Sequence, residues 1–148
     1  MNQAAHTPNV LILGATGGIG SALARQLATL GYGLSLAARS SERLNALAIE
    51  LKADAGPVEA TDSASVEACV TKAFEQHGRL DGVVNCVGSL LLKPAHSTTD
   101  EEWSNVLAAN LNSSFYVLRA AASRMMRTGG GSIVLLASAV AQRGMINH

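Results

Sequence analysis

Charge is scarce in this 148-residue chain: 15% of residues are charged, and 11 Lys and Arg balance 11 Asp and Glu. No basic run is present, which argues against nucleic acid and anionic membrane as partners. No apolar run approaches the ~20 residues that span a bilayer. Met1 to Asn9 has neither a basic region nor an apolar one, so it reads as a short loose tail rather than a secretory signal. Cysteine is nearly absent. Cys69 falls in a helical pattern and Cys86 at a strand end, which excludes a disulfide framework and a metal-ligand spacing. Both read as reduced, packed thiols of a cytoplasmic protein. The four histidines, His6, His77, His96 and His148, are scattered, so no metal site is expected. What is abundant is apolar: 48% of the chain, enough for one domain over residues 1–148 with a real core.

The chain is organised around Val10-Leu11-Ile12-Leu13-Gly14-Ala15-Thr16-Gly17-Gly18-Ile19-Gly20. Four apolar residues in a row predict a strand buried on both faces. Glycines follow, then a helical pattern with Ile19, Leu23, Leu27 and Leu30 on one face. Strand, glycine turn and helix together present free backbone N–H groups and the positive helix end to a phosphate. Gly14 permits the tight turn, Gly18 permits backbone approach to a pyrophosphate, and Gly20 permits close helix packing. Thr16 and Ile19 lie on the same turn.

Further along, Leu34 to Ala38 reads as a second strand. Ser40 or Ser41 is placed to cap a helix with Leu44, Leu47 and Leu51 inward. Gly56-Pro57 is expected to break that helix, with a short third strand at Val58-Glu59-Ala60. Ser63 to Gln76 is a helix with Val66, Val70, Ala73 and Phe74 inward, ended by Gly78. Val83 to Val87 is the fourth strand. Thr99 and Glu102 form a capping box for a helix carrying Trp103, Val106, Leu107 and Asn110 on one face. Helical pattern continues from Asn112 to Arg127, and Ile133 to Ala137 is a fifth buried strand. Alternating strands and helices predict an α/β fold: a Rossmann-type doubly wound parallel sheet of order 3-2-1-4-5, with a ligand crevice above strands 1 and 4.

The G-x-x-x-G-x-G of Gly14, Gly18 and Gly20 resembles the first turn of the short-chain dehydrogenase/reductase family, although Leu13 stands where that family usually has Thr. Five further features carry the resemblance. Arg39 follows Ala38 at the end of strand 2, where a guanidinium pairs with a 2′-phosphate and a carboxylate would repel it. The resemblance therefore implies NADP(H) in preference to NAD(H), with Ser40 adding a hydroxyl contact. Asp62, otherwise a helix-start residue, matches the family's contact to the adenine amino group. Asn85-Cys86-Val87-Gly88 resembles the family's N-N-A-G, which implies that Asn85 braces the sheet and lines the ribose and that Gly88 clears the cofactor. An Asn at a strand end is otherwise a turn residue. Asn110 matches a family Asn in a helix kink that holds a water of a proton relay; the other reading is a boundary between two helices, with Asn112 as rival. Ser138 matches the catalytic Ser that hydrogen-bonds the substrate oxygen.

The family's Tyr-x-x-x-Lys acid/base pair lies roughly a dozen residues past that Ser. Only Ala139 to His148 follow here, and neither Tyr32 nor Tyr116 has a Lys four residues on. The chain is therefore expected to end after the fifth strand, as the cofactor-binding portion of a reductase acting on a ketone or secondary alcohol. The rival reading is a non-catalytic dinucleotide-binding or sensor module. A methyltransferase shares the topology but not Arg39, Asn85 and Ser138. Finally, Phe115 to Leu118, Ala120 to Ala122 and Met125-Met126 are apolar on more than one helix face. This predicts a homodimer or homotetramer with that helix at its interface, broken by charge at Val117 and Ala121.

Overall fold

A run of apolar residues forms a strand with no polar face only where both faces are covered, and the strand over Asn9–Leu13 (β1) is buried along its whole length at the centre of the sheet. The computed structural model describes residues 6–39 and 42–143. From β1 the chain runs through α1 (Gly18–Thr29), β2 (Gly33–Ala38), α2 (Glu42–Leu51), β3 (Asp54–Pro57), α3 (Ser63–His77) and β4 (Gly82–Asn85). It continues through α4 (Asp100–Leu107), one turn of π-helix (Ala108–Asn112), α5 (Ser113–Met125) and β5 (Ser132–Leu135). All strand pairings are parallel and the order is β3-β2-β1-β4-β5, as the alternation predicts.

Because successive strand residues point to opposite faces, β1 feeds two cores. Leu11 and Leu13 pack with Val66, Val70, Val83, Val117 and Ala121 beneath α3 and α5. Val10 and Ile12 pack with Ala24, Leu36, Leu44 and Leu47 beneath α1 and α2. The predicted inward stripe of α1 holds only in its middle: Leu23 and Leu27 pack on the core, whereas Ile19 and Leu30 are exposed.

Four expectations are corrected. The third strand is Asp54–Pro57, not Val58 to Ala60. The helix before it stops at Lys52, which takes a left-handed φ of 51°, so the strand starts earlier. As an edge strand it tolerates Gly56 and Pro57, because an edge Pro forfeits no ladder bond. The fifth strand is not buried: β5 lies at the other edge and only Ile133 packs against the core, with Val134 and Leu135 exposed. Val117 and Ala121 face α3 rather than a partner; Phe115 and Leu118 are exposed on α5, with Met126 exposed just past its end. The tail is fastened at its end. Asp81 accepts from His6 Nε2 at 2.9 Å and from the Asn9 N–H at 2.8 Å, and Arg79 stands 2.6 Å away. The capping box is present as predicted: Thr99 Oγ1 accepts from the Glu102 N–H at 3.2 Å and Glu102 accepts from the Thr99 N–H at 2.8 Å.

Candidate functional site

The carboxyl ends of β1 and β4 open onto a cleft of about 1220 Å³. The β1–α1 turn lies beside it, and Ile19 at the start of α1 is part of its lining. Gly14 holds a φ of 75°, and a Cβ there would stand 2.9 Å from the carbonyl carbon of Cys86, so only Gly lets the turn press on β4. A Cβ on Gly20 would stand 2.4 Å from the Gly14 carbonyl oxygen, so Gly20 is what seats α1 on the turn. Gly18 has nothing within 4 Å of its absent Cβ; it faces open space. Among the described residues no side chain caps α1, and its first turn holds no acidic residue. The helix N-terminus therefore keeps its donors and its positive end for something else. Thr16 is half-buried in the turn and Ile19 reaches into the cleft.

The turn is tied to the end of β2. The Ala15 N–H donates to the Ala37 carbonyl at 3.1 Å, two residues before Arg39. Arg39 is exposed there. The nearby Glu59 carboxyl is held below the usual range by the hydroxyl and N–H of Thr61, with Arg39 contributing least. Ser40, the second proposed contact, lies outside the described residues, as does Ser41. Asp62 is exposed and caps α3, its Oδ1 accepting from the Ala64 N–H at 3.0 Å. It does not line the cleft.

On the other side stand β4, the loop after it and the π turn. Asn85 is 1% exposed. Its Nδ2 donates to Ser113 Oγ at 3.2 Å and Ser114 Oγ at 3.3 Å, and its Oδ1 accepts from the Val87 N–H at 3.1 Å. The predicted bracing of the sheet is there; the side chain is turned toward α5 and does not form the cleft surface. Gly88 does, and a Cβ on it would stand 2.9 Å from Asn110 Oδ1. Asn110 sits within the π turn, and its rival Asn112 at the end of that turn. The Asn110 amide is fully engaged. Its Oδ1 accepts from the Ser89 N–H at 3.0 Å, and its Nδ2 donates to the Ser89 carbonyl at 3.1 Å and to the Val106 carbonyl at 2.9 Å. Side chains that claim backbone carbonyls within a helix widen it, and Ser113 and Ser114 do the same to Ala109 and Asn110.

Ser138 lies on the cleft wall just past β5. Its Oγ accepts from the Val140 N–H at 3.2 Å, which leaves the hydroxyl proton to donate. Cys86 also lines the cleft, its thiol pushed up by burial. The outer walls are apolar: Leu90, Leu91, Trp103, Val106 and Leu136. Lys93 on the rim is neutralised by Glu102 at 2.7 and 2.9 Å. Sequence reading missed Ser113 and Ser114 as holders of Asn85, because two serines in a helix carry no local sign of a partner 28 residues away. Among the described residues no His/Cys/Asp/Glu cluster could hold a metal, and no helix is long and apolar enough to cross a membrane.

The structure thus brings Ile19, Gly88, Asn110 and Ser138 to one cleft, while Gly14, Thr16, Gly18 and Gly20 build the turn beside it, Arg39 and Asp62 lie outside its lining and Asn85 lies behind it. Known proteins resemble this chain in sequence and in fold. A D-threitol dehydrogenase of Mycolicibacterium smegmatis is 35% identical over 93% of this chain and 55% of its own length. A 3-oxoacyl-acyl-carrier-protein reductase of Staphylococcus aureus is 33% identical over 93% of this chain and 58% of its own length. A solved actinorhodin polyketide ketoreductase variant with NADPH superposes with a TM-score of 0.86 at 31% identity, over 95% of this chain and 57% of that one. The chain spans about half the length of the curated relatives it matches. The family model described as short chain dehydrogenase matches residues 8–148, and with that match the chain belongs to the short-chain dehydrogenase/reductase family of oxidoreductases.

Proposed function

We propose that this chain is the dinucleotide-holding part of an NADP(H)-dependent reductase that interconverts a ketone and a secondary alcohol. One observation carries the cofactor preference: the Ala15–Ala37 bond holds the uncapped phosphate turn against the strand whose end presents Arg39. The open space at Gly18 fits a pyrophosphate approaching the α1 N-terminus. Arg39 is placed to meet a 2′-phosphate, and Asp62 and Ser40 are the remaining contacts of the adenosine end. Gly88 clears the path for the cofactor at β4.

When bound, the nicotinamide supplies or accepts the hydride. The chain's own residues do the rest of what this part can do. Ser138 donates a hydrogen bond from its hydroxyl to the substrate oxygen, which polarises the carbonyl. Asn110 positions the loop at Ser89, and Asn85 holds β4 under it through α5. The apolar walls and the neutralised Lys93 favour an uncharged carbonyl compound over an anionic one. No Tyr here has a Lys four residues on, so the 148-residue chain is expected to bind dinucleotide without turnover.

The apolar outward face of Phe115, Leu118 and Met126 supports a homodimer or homotetramer with α5 at its interface. The cofactor reading is tested by titrating NADPH and NADH against wild type and Arg39→Ala. The variant should lose about 1.5–3 kcal/mol for NADPH, roughly 10- to 150-fold in Kd, with NADH little changed. Equal losses for the two would overturn it.

A further inference from the structure

A second cavity, of about 310 Å³, lies between α3 and the β2–β3 edge and shares no lining residue with the cleft. Its walls include Leu11 and Ala73, both buried and apolar. Cys69 completes this side, with a thiol that burial pushes up to about 11 and so keeps neutral. Two polar groups flank this apolar space. Ser35, on the floor, is 4% exposed, and its hydroxyl has no hydrogen-bond partner among the described residues. A buried hydroxyl without a partner is costly.

Lys72 is at the mouth. Its Nζ stands 3.7 Å from where a Cβ on Gly56 would be, so the missing side chain leaves room beside the ammonium. Among the described residues Lys72 has no carboxylate partner. The cavity's own acid, Asp54, lies instead at 3.0 Å from His77 Nε2, without hydrogen-bond alignment. Gln76 and Ser65 are the remaining polar side chains of the lining, and Ser65 Oγ accepts from the Glu59 N–H at 2.9 Å.

The register sets the size of what would fit. Ser35 pairs with Asp54, and Gly56 lies two residues further along β3. One strand across and two residues along separates Ser35 from Gly56 by about 8 Å, which suits a ligand of about four to six carbons with a polar atom at each end. We propose that this cavity binds a short oxo-carboxylate, its carboxylate on Lys72, its chain against Leu11 and Ala73, and its keto oxygen accepting a hydrogen bond from Ser35.

The test uses the ¹⁵N-labelled 148-residue chain titrated with 4-oxopentanoate and followed by amide chemical shifts. Saturable shifts are expected at Ser35, Gly56, Cys69 and Lys72, with a Kd in the range of about 1–10 mM, while Gly14 to Gly20 stay in place. Pentan-2-one, which lacks the carboxylate, and pentanoate, which lacks the keto group, should each bind more weakly. Lys72→Gln should weaken 4-oxopentanoate about tenfold and leave pentan-2-one unchanged. Ser35→Ala should weaken 4-oxopentanoate and leave pentanoate unchanged. Lys72 is exposed, so its variant tests the idea even if Ser35→Ala unfolds. No saturable shift at about 50 mM, shifts confined to the glycine turn, or an unchanged Kd in Lys72→Gln would each overturn the proposal.

Discussion

Gly18 and Gly20 stand two residues apart in the first turn of α1, and alanine at each should have opposite effects on folding. A Cβ at position 20 would sit 2.4 Å from the Gly14 carbonyl oxygen and 3.0 Å from the Ala15 Cα. Both neighbours are backbone, so no side chain can swing aside. The helix would have to lift by roughly 0.8–1 Å to restore an ordinary contact, and forced overpacking of this kind costs about 1–3 kcal/mol. Against that stands the gain of replacing a helical Gly, about 1 kcal/mol at most. Gly20→Ala should therefore lose net stability, by up to about 2 kcal/mol. Gly18→Ala meets nothing within 4 Å and should be neutral or gain up to about 0.5–1 kcal/mol. In the bound state its methyl would enter the path proposed for the pyrophosphate, so NADPH affinity should fall while stability does not. Urea unfolding followed by circular dichroism, paired with NADPH titration, separates the two effects. A Gly20→Ala chain as stable as wild type, or a Gly18→Ala chain that binds NADPH as tightly as wild type, would refute the packing argument or the phosphate reading respectively.

Asn85→Ala removes three hydrogen bonds at a site 1% exposed; chemical denaturation should show a loss of about 2–3 kcal/mol. Burial works to raise the Asp81 carboxyl, but the Asn9 N–H, His6 and Arg79 together hold it below the usual range. Its contribution is thus full above the unfolded value near 3.9 and is lost as pH falls through the lower folded value. Asp81→Asn should flatten the loss of stability below about pH 4, and an unchanged acid profile would exclude Asp81 as its source. Leu118→Glu on the outward face of α5 should shift the sedimentation of the protein toward monomer, whereas Val117→Glu should unfold it, since Val117 is fully buried. Dissociation by Val117→Glu with the fold intact would reverse that assignment.

Local chemistry determined a good deal of this protein by itself. The run of apolar residues before Gly14, the spacing of Gly14, Gly18 and Gly20, and the Thr99–Glu102 capping box each act over a few residues. They therefore specify strand, turn and helix start without help from the rest of the chain. Alternation of strands and helices was enough for the order β3-β2-β1-β4-β5, because parallel crossovers leave few topologies. Tertiary structure decided what depends on which surface covers which. Periodicity shows that α5 has apolar faces but not that Val117 and Ala121 meet α3 while Leu118 faces out. It shows apolar β5 but not that, among the described residues, only its Ile133 packs against the core. Gly56-Pro57 reads as a break until the strand is known to lie at an edge, where a missing N–H costs no ladder bond. Asn85 could be read as a turn residue or a brace, and the bonds to Ser113 and Ser114 that settle it close over a long stretch of chain. The cavity beside Ser35 has no trace in the sequence at all, because it is the gap between a helix and two strands that only packing brings together.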